Sequence, residues 1–167
     1  GIATLTHNYV KKVAPVKVLD TRKTTPGLRV FEKYAVACGG AINHRFGLYD
    51  QVLIKDNHIE TAGGISNAVS LVRKNVPEDK KIEVEVQSIE EVKEALKNHA
   101  DIIMLDNMSL DMMRQCIKMI DGKAKTEISG GVTFERLEEI STSGADFVSV
   151  GALTHSAPAV DISMNIN

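Results

Sequence analysis

Basic side chains gather at three places along this sequence, each beside a short apolar run. They are Arg22, Lys23, His44, Arg45 and Lys55. A guanidinium group offers a planar fork for a carboxylate or a phosphate, and a lysine ammonium supplies a compact positive charge. Such groups repel one another unless something anionic lies among them. We therefore expect a multiply anionic ligand, the plainer alternative being a solvated charged surface.

Two acidic residues, Glu85 and Asp106, lie at the ends of the third and fourth apolar runs. Carboxylate oxygens bind Mg²⁺, hydrogen-bond ribose hydroxyls, or stabilise a developing cationic sugar carbon. The alternative is that both residues only neutralise the lysines and arginines opposite. The pattern leaves the roles of Glu83, Glu127 and His58 open.

Glycines follow the last two apolar runs, in Ser129-Gly130-Gly131 and in Gly151-Ala152. Glycine lets backbone amides approach a phosphate closely, and a helix that starts there adds partial positive charge. His155 follows the second turn and could donate to the same phosphate. These turns predict a phosphate site, although each by itself is also an ordinary strand-to-helix turn.

The elements that must position these residues alternate between short strands and helices. Strand-like runs cover residues 16–20, 51–55, 81–86, 101–106, 124–129 and 146–151. Helical patterns cover residues 2–10, 27–38, 65–74, 88–97, 109–119 and 133–140. This alternation predicts right-handed βαβ units and a parallel sheet. Near-constant repeat length, without a Gly-x-Gly-x-x-Gly turn, favours an incomplete or small α/β barrel of about six strands.

Composition narrows the classes of function. The chain has 167 residues and a net charge of −2, and no apolar stretch is long enough to span a membrane. Residues 1–60 carry nine basic against five acidic residues, whereas residues 61–167 carry eleven against seventeen. A local basic excess suits a small anionic ligand better than a nucleic acid. Cys38 and Cys116 lie far apart on helical patterns and are expected to be reduced packing residues of a cytoplasmic protein.

Several of these segments together resemble one enzyme family. They are residues 20–29, 43–50, 53–58, 83–86, 104–108, 129–133 and 149–156. In this order, and over nearly the whole chain, they are similar to quinolinate phosphoribosyltransferase, also called nicotinate-nucleotide pyrophosphorylase (carboxylating). The resemblance implies that residues 1–167 form the family's catalytic α/β barrel without its N-terminal domain. That domain caps the active site of a partner subunit, so the resemblance also implies a homodimer or a dimer-based oligomer and weak or no turnover by the barrel alone.

The resemblance also implies a reaction and a role for each motif. Quinolinate would combine with phosphoribosyl pyrophosphate, with Mg²⁺ as cofactor, to give nicotinate mononucleotide, carbon dioxide and pyrophosphate in NAD biosynthesis. The residues that would face the quinolinate carboxylates are Arg22, His44, Arg45 and Lys55. The residues that would hold phosphoribosyl pyrophosphate are Lys23, Glu85 and Asp106, the two carboxylates near Mg²⁺, and those that would hold its 5′-phosphate are Ser129, Gly130, Gly151 and His155. The catalytic set would be Lys23, Lys55, Glu85 and Asp106.

Three alternatives stay open at this point. Two are relatives with the same fold, a nicotinate phosphoribosyltransferase and a paralogue associated with molybdenum transport. The third is a barrel that binds phosphate without catalysis. The His44-Arg45 pair together with Lys55 favours a substrate with a second carboxylate, and hence quinolinate.

Overall fold

Six parallel strands make up a single sheet in the part of the chain that the computed structural model describes, residues 1–166. The strands are β1 (Lys17–Leu19), β2 (Val52–Ile54), β3 (Ile82–Val86), β4 (Ile102–Asp106), β5 (Lys125–Ser129) and β6 (Phe147–Ser149). Their spatial order is β1-β6-β5-β4-β3-β2, which is the order of a barrel that stays open between its first two strands. Ile42 lies beside this opening and forms an isolated parallel bridge with Leu19 of β1. The predicted α/β fold with six parallel strands is confirmed.

One helix precedes β1, at least one helix follows each strand, and the helices cover the outside of the sheet. They are α1 (Ile2–Val13), α2 (Arg29–Cys38), α3 (Asp56–Ala62), α4 (Ile65–Asn75), α5 (Ile89–Lys97), α6 (Leu110–Ile120), α7 (Leu137–Ser141) and α8 (Ala152–His155). Ser88 and Ser109 accept hydrogen bonds from the third residue of α5 and α6, as N-cap residues do. The sequence had not predicted α3, and the helix expected from residue 133 begins four residues later.

The two faces of each strand differ in chemistry because successive side chains point to opposite sides. On β3, Ile82, Val84 and Val86 belong to the apolar core that packs against the helices. Glu83 and Glu85 alternate with them and are also buried, at 0% and 8% exposure. Burying one aliphatic side chain of this size contributes about 1.5–3 kcal/mol to stability, so the outer layer holds the fold together. The inner layer is left free for polar and charged residues.

The two cysteines differ in their exposure to solvent. Cys116 is buried in α6 as expected, but Cys38 at the end of α2 is exposed, so its predicted packing role is wrong. Among the described residues, no helix is both long enough and apolar enough to cross a membrane. Asn167, the last residue of the predicted domain, lies outside the described residues.

Candidate active site

A cavity of about 320 Å³ opens at the carboxyl ends of the strands. Its lining residues are Thr21, Arg22, Lys23, His44, Arg45, Leu53, Lys55, Met104, Glu127, Ser129 and Ser149. This set includes all five basic or ionisable residues that the sequence predicted to converge. It holds six of the eleven predicted substrate-binding residues; of the other five, Glu85 pairs with Lys55 and Gly151 lies beside Lys23. Their roles stay predictions.

Two arginines meet in this cavity. Burial and the neighbouring Arg22 guanidinium lower the pKa of Arg45, which is only 9% exposed. Arg45 Nη1 donates to the Gln51 carbonyl at 3.3 Å. Arg22 Nε is buried and has no hydrogen-bond partner among residues 1–166. A buried donor without a partner is costly, so the geometry favours an anion beside Arg22.

The loop that carries Arg22 and Lys23 is held by residues outside the cavity. Arg29, the first residue of α2, donates to Thr24 Oγ1, to the Phe46 carbonyl and to the Arg22 carbonyl at 3.0 to 3.1 Å. Thr154 of α8 donates its hydroxyl proton to the Lys23 carbonyl at 2.6 Å. These bonds join the loop after β1 to the segment before β2 and to the helix after β6. The basic residues are therefore preorganised before any ligand binds.

The two predicted metal ligands differ in their partners. The Lys55 ammonium forms an ion pair with the Glu85 carboxylate, across the ends of β2 and β3. Asp106 ends β4 opposite Ser129, and its Oδ2 accepts a bond from the Asn107 side chain at 2.7 Å. Within residues 1–166, Asp106 has no ion-pair partner.

The glycines after β5 and β6 let neighbouring side chains approach the backbone closely at the carboxyl ends of these strands. Gly130 has a φ of +87°, and a Cβ atom there would collide with Asn107 Oδ1. A Cβ atom on Gly151 would lie 2.9 Å from His155 Nε2 and 3.5 Å from Lys23 Cδ. Lys23 and His155 thus both lie beside Gly151, although more than 120 residues separate Lys23 from Gly151 and His155 in the sequence.

The floor of the cavity contains a buried acidic pair. Glu83 and Glu127 are 0% and 1% exposed, and their Oε2 atoms lie 3.2 and 3.6 Å from His44 Nε2. Burial raises the pKa of both carboxyls, and the charge of Glu83 raises that of Glu127 further. Burial also lowers the pKa of His44. All three groups therefore resist charging in the dry interior.

A second buried pair supports His44 from behind, and it includes Lys33, for which no role had been predicted. Lys33 Nζ lies 2.5 Å from Asp20 Oδ1, and both residues are almost fully buried. Asp20 accepts the His44 amide at 2.8 Å, while Lys33 donates to the His44 carbonyl at 2.9 Å. The signal in the sequence was a lysine on the core-facing side of an otherwise ordinary helix. His58, whose role was open, accepts the Lys55 amide at 3.0 Å and so caps α3.

Comparison with known proteins decides the family. The sequence profile described as "Quinolinate phosphoribosyl transferase, C-terminal domain" matches residues 2–165. The chain belongs to this family. It is 49% identical to the probable nicotinate-nucleotide pyrophosphorylase [carboxylating] of Synechocystis sp. over 99% of its length, and 46% identical to that of Bacillus subtilis over 99%. NadC from Streptococcus pyogenes superposes with a TM-score of 0.94 at 46% identity, covering 99% of the chain.

The related proteins are longer than this chain, and the chain matches one part of each of them. The chain spans 58% of the Synechocystis and Bacillus proteins and 59% of the Streptococcus structure. The match to the family's C-terminal domain agrees with the resemblance drawn from the motifs at residues 20–29, 43–50 and 53–58.

Proposed function

We propose that this chain is the catalytic barrel of an enzyme that transfers a phosphoribosyl group to quinolinate and decarboxylates the product to nicotinate mononucleotide. The observation that carries the proposal is the buried Arg22 Nε without a protein partner in residues 1–166, beside Arg45 and Lys55. Three cations around one cavity of about 320 Å³ suit a small dicarboxylate. The names of the related proteins support the same reaction.

The second substrate, phosphoribosyl pyrophosphate, fits the other side of the cavity. The Lys23 side chain lies beside Gly151, where the turn after β6 leads into α8. Ser129 and Gly130 form the turn after β5, where Gly130 has a left-handed φ of +87°. Barrels often bind phosphate at their last two strand ends, and this geometry supports the 5′-phosphate there. Lys23 would then contact the pyrophosphate donor, as the resemblance implies.

The chemistry requires no protein nucleophile. The bond from the anomeric carbon to pyrophosphate breaks as the pyridine nitrogen of quinolinate forms the new bond to that carbon. The carboxyl group next to the ring nitrogen then leaves as carbon dioxide, the bonding electrons stay on that ring carbon beside the positively charged nitrogen, and a proton from solvent binds there. Arg22, Arg45 and Lys55 would hold the carboxylates in place, and Glu85 with Asp106 would stabilise the cationic sugar.

Mg²⁺ fits the acidic end of this site. Magnesium prefers oxygen ligands and is usually bound by one or two carboxylates together with substrate phosphates. Asp106 offers a carboxylate that forms no ion pair within the described chain, whereas Glu85 shares its charge with Lys55. We propose Asp106 and Glu85 as the residues that hold Mg²⁺, which would neutralise charge on the departing pyrophosphate.

The oligomeric state and the cellular location of the full-length protein can also be proposed. We propose that the full-length protein forms a homodimer or a dimer-based oligomer, because the family resemblance includes a domain that caps a partner's site. A cytoplasmic location agrees with two free cysteines, one of which is exposed. Sedimentation of the full-length protein would test the oligomer, and a monomer with full activity would contradict it.

A competition assay tests the substrate. The full-length protein would be given phosphoribosyl pyrophosphate, Mg²⁺ and either quinolinate or nicotinate. We expect nicotinate mononucleotide and carbon dioxide from quinolinate only. Product from nicotinate and none from quinolinate would overturn the proposal. Phosphate binding without turnover of either substrate would instead favour a barrel that binds phosphate without catalysis.

A further inference from the structure

Both ring nitrogens of His44 lie beside protein groups. Nδ1 accepts the backbone N–H of Arg45 at 2.8 Å, and a ring nitrogen that accepts a hydrogen bond carries no proton. In the neutral imidazole the proton must then lie on Nε2. That nitrogen lies 3.2 Å from Glu83 Oε2 and 3.6 Å from Glu127 Oε2. The C–H groups of the ring remain for contact with a ligand.

The backbone of His44 is fixed as firmly as its ring. Its N–H donates to Asp20 and its carbonyl accepts from Lys33, at 2.8 and 2.9 Å. Gln51 in turn donates to Glu83 Oε2 at 2.9 Å and so orients the carboxyl group that lies nearest to His44 Nε2. An imidazole held at the main chain and at Nδ1 cannot turn toward a ligand without breaking several of these bonds.

The acidic pair lies between two cavities. His44 and Glu127 line the basic cavity and also a second cavity of about 340 Å³ that reaches Ile102 and Phe147 at the strand starts. One carboxylate oxygen of each glutamate, Oε1, is buried and has no partner among residues 1–166. The layer of His44, Glu83 and Glu127 therefore forms the floor of the basic cavity, and its geometry sets how deep a ligand can sit.

We propose that Glu127 and Glu83 are positioning residues that hold His44 as the Nε2–H tautomer in this floor. His44 then forms an uncharged part of the cavity surface, and Arg22, Arg45 and Lys55 bind the substrate carboxylates. This differs from the expectation that His44 itself binds a carboxylate. The inference rests on the proposed function for its consequence, which is the affinity for quinolinate, but the tautomer follows from the geometry alone.

The tautomer can be measured without any activity assay. Nitrogen-15 NMR of the full-length, ligand-free protein with labelled histidine would give the state of each ring nitrogen, with the His44→Asn spectrum assigning the signals. We expect an unprotonated Nδ1 and a protonated Nε2 at pH 7. An Nδ1–H tautomer or a doubly protonated ring would overturn the proposal, whatever the enzyme's substrate is.

Kinetics of two substitutions at one position test the consequence. Glu127→Ala removes an acceptor near His44 Nε2 and should raise the KM for quinolinate by about tenfold, with the KM for phosphoribosyl pyrophosphate little changed. Glu127→Gln keeps the shape and one acceptor oxygen, so it should restore most of the quinolinate affinity. If Glu127→Ala does not fold, the same comparison is made with Glu83→Gln and Glu83→Ala.

Two kinetic outcomes would contradict the proposal. One is an unchanged KM for quinolinate in the alanine variant. The other is an equal loss for both substrates that glutamine does not rescue, which is what a merely structural role of Glu127 predicts. If the wild-type protein does not turn over quinolinate at all, the proposed function fails, while the NMR result still decides the state of His44.

Discussion

Lys33 Nζ and Asp20 Oδ1 lie 2.5 Å apart in the interior, where their side chains are 2% and 0% exposed. Burial raises the pKa of Asp20 above its ordinary value, and the bonds from Lys33 and from the His44 amide offset part of that rise. Two ions in a dry interior stabilise a fold only when each has its partner. This pair lies directly behind His44, so its loss should affect both stability and the site.

Lys33→Met should destabilise the full-length protein by about 3–5 kcal/mol, because it leaves the Asp20 carboxylate buried without its cation. Urea unfolding monitored by circular dichroism measures the change. The matched control is Lys93→Met, which removes an exposed lysine 4.0 Å from Glu90 and should change stability little. The double variant Asp20→Asn/Lys33→Met should recover part of the loss. Equal effects of the two single lysine substitutions would contradict the buried-pair argument.

Gly130→Ala should cost more stability than Gly27→Ala, although both glycines have a left-handed φ. At Gly27, with a φ of +80°, a Cβ atom would have no neighbour within 4 Å in the described structure, so only the backbone cost of about 1–2 kcal/mol applies. At Gly130 the Cβ atom would also collide with Asn107 Oδ1 and lie 2.8 Å from the Asn107 amide nitrogen. Urea unfolding of the two variants compares them. Identical urea midpoints would show that Asn107 moves aside and accommodates the Cβ atom at position 130 without cost.

Stability should fall as the pH rises above 6.5, because the buried carboxyls resist ionisation. Glu127 has its pKa raised from 4.5 to about 8, so the folded protein holds a proton that the unfolded chain releases. Stability from this group is complete below pH 4.5 and is lost as the pH rises towards 8, at about 1.4 kcal/mol per pH unit. His44 has the opposite effect. Because its pKa is lowered in the folded protein, the stability that it contributes is lost as the pH falls below its ordinary pKa of 6.5.

Glu127→Gln checks this pH dependence. Glutamine cannot ionise, so the variant should lose less stability than the wild type between about pH 6.5 and 8.5. Thermal or urea unfolding of the full-length protein at several pH values gives the two slopes. Parallel slopes would mean that Glu127 is already ionised in the folded protein at the lower end of this range.

Asp106→Asn should raise the Mg²⁺ concentration required for half-maximal velocity by about tenfold, because a neutral amide is a weaker ligand than a carboxylate. The measurement is a magnesium titration at saturating concentrations of both substrates. Asp111→Asn, an exposed change in the first turn of α6, is the control and should leave the titration unchanged. A lower kcat with an unaltered magnesium requirement would contradict the proposal that Asp106 holds Mg²⁺.

The sequence by itself determined the strand and helix order and the residues at the strand ends. Periodicity is a local signal, and parallel strands connected by helices place all their carboxyl ends at one edge. Arg22, Lys23, His44, Arg45 and Lys55 could therefore be expected in one place, and all five line the cavity. The family followed from the same short motifs, and the profile match to residues 2–165 confirmed it.

Only the tertiary structure decided which polar groups pair in the interior. Lys33 and Asp20 are 13 residues apart, Glu83 and Glu127 lie on strands that are not neighbours, and His44 reaches both glutamates from a loop. Such pairings depend on strand stagger and on distances of a few ångströms across the barrel, which no local pattern encodes. Periodicity placed Glu83 and Glu127 on strands, but their burial and raised pKa values arise because packing removes water from the barrel axis.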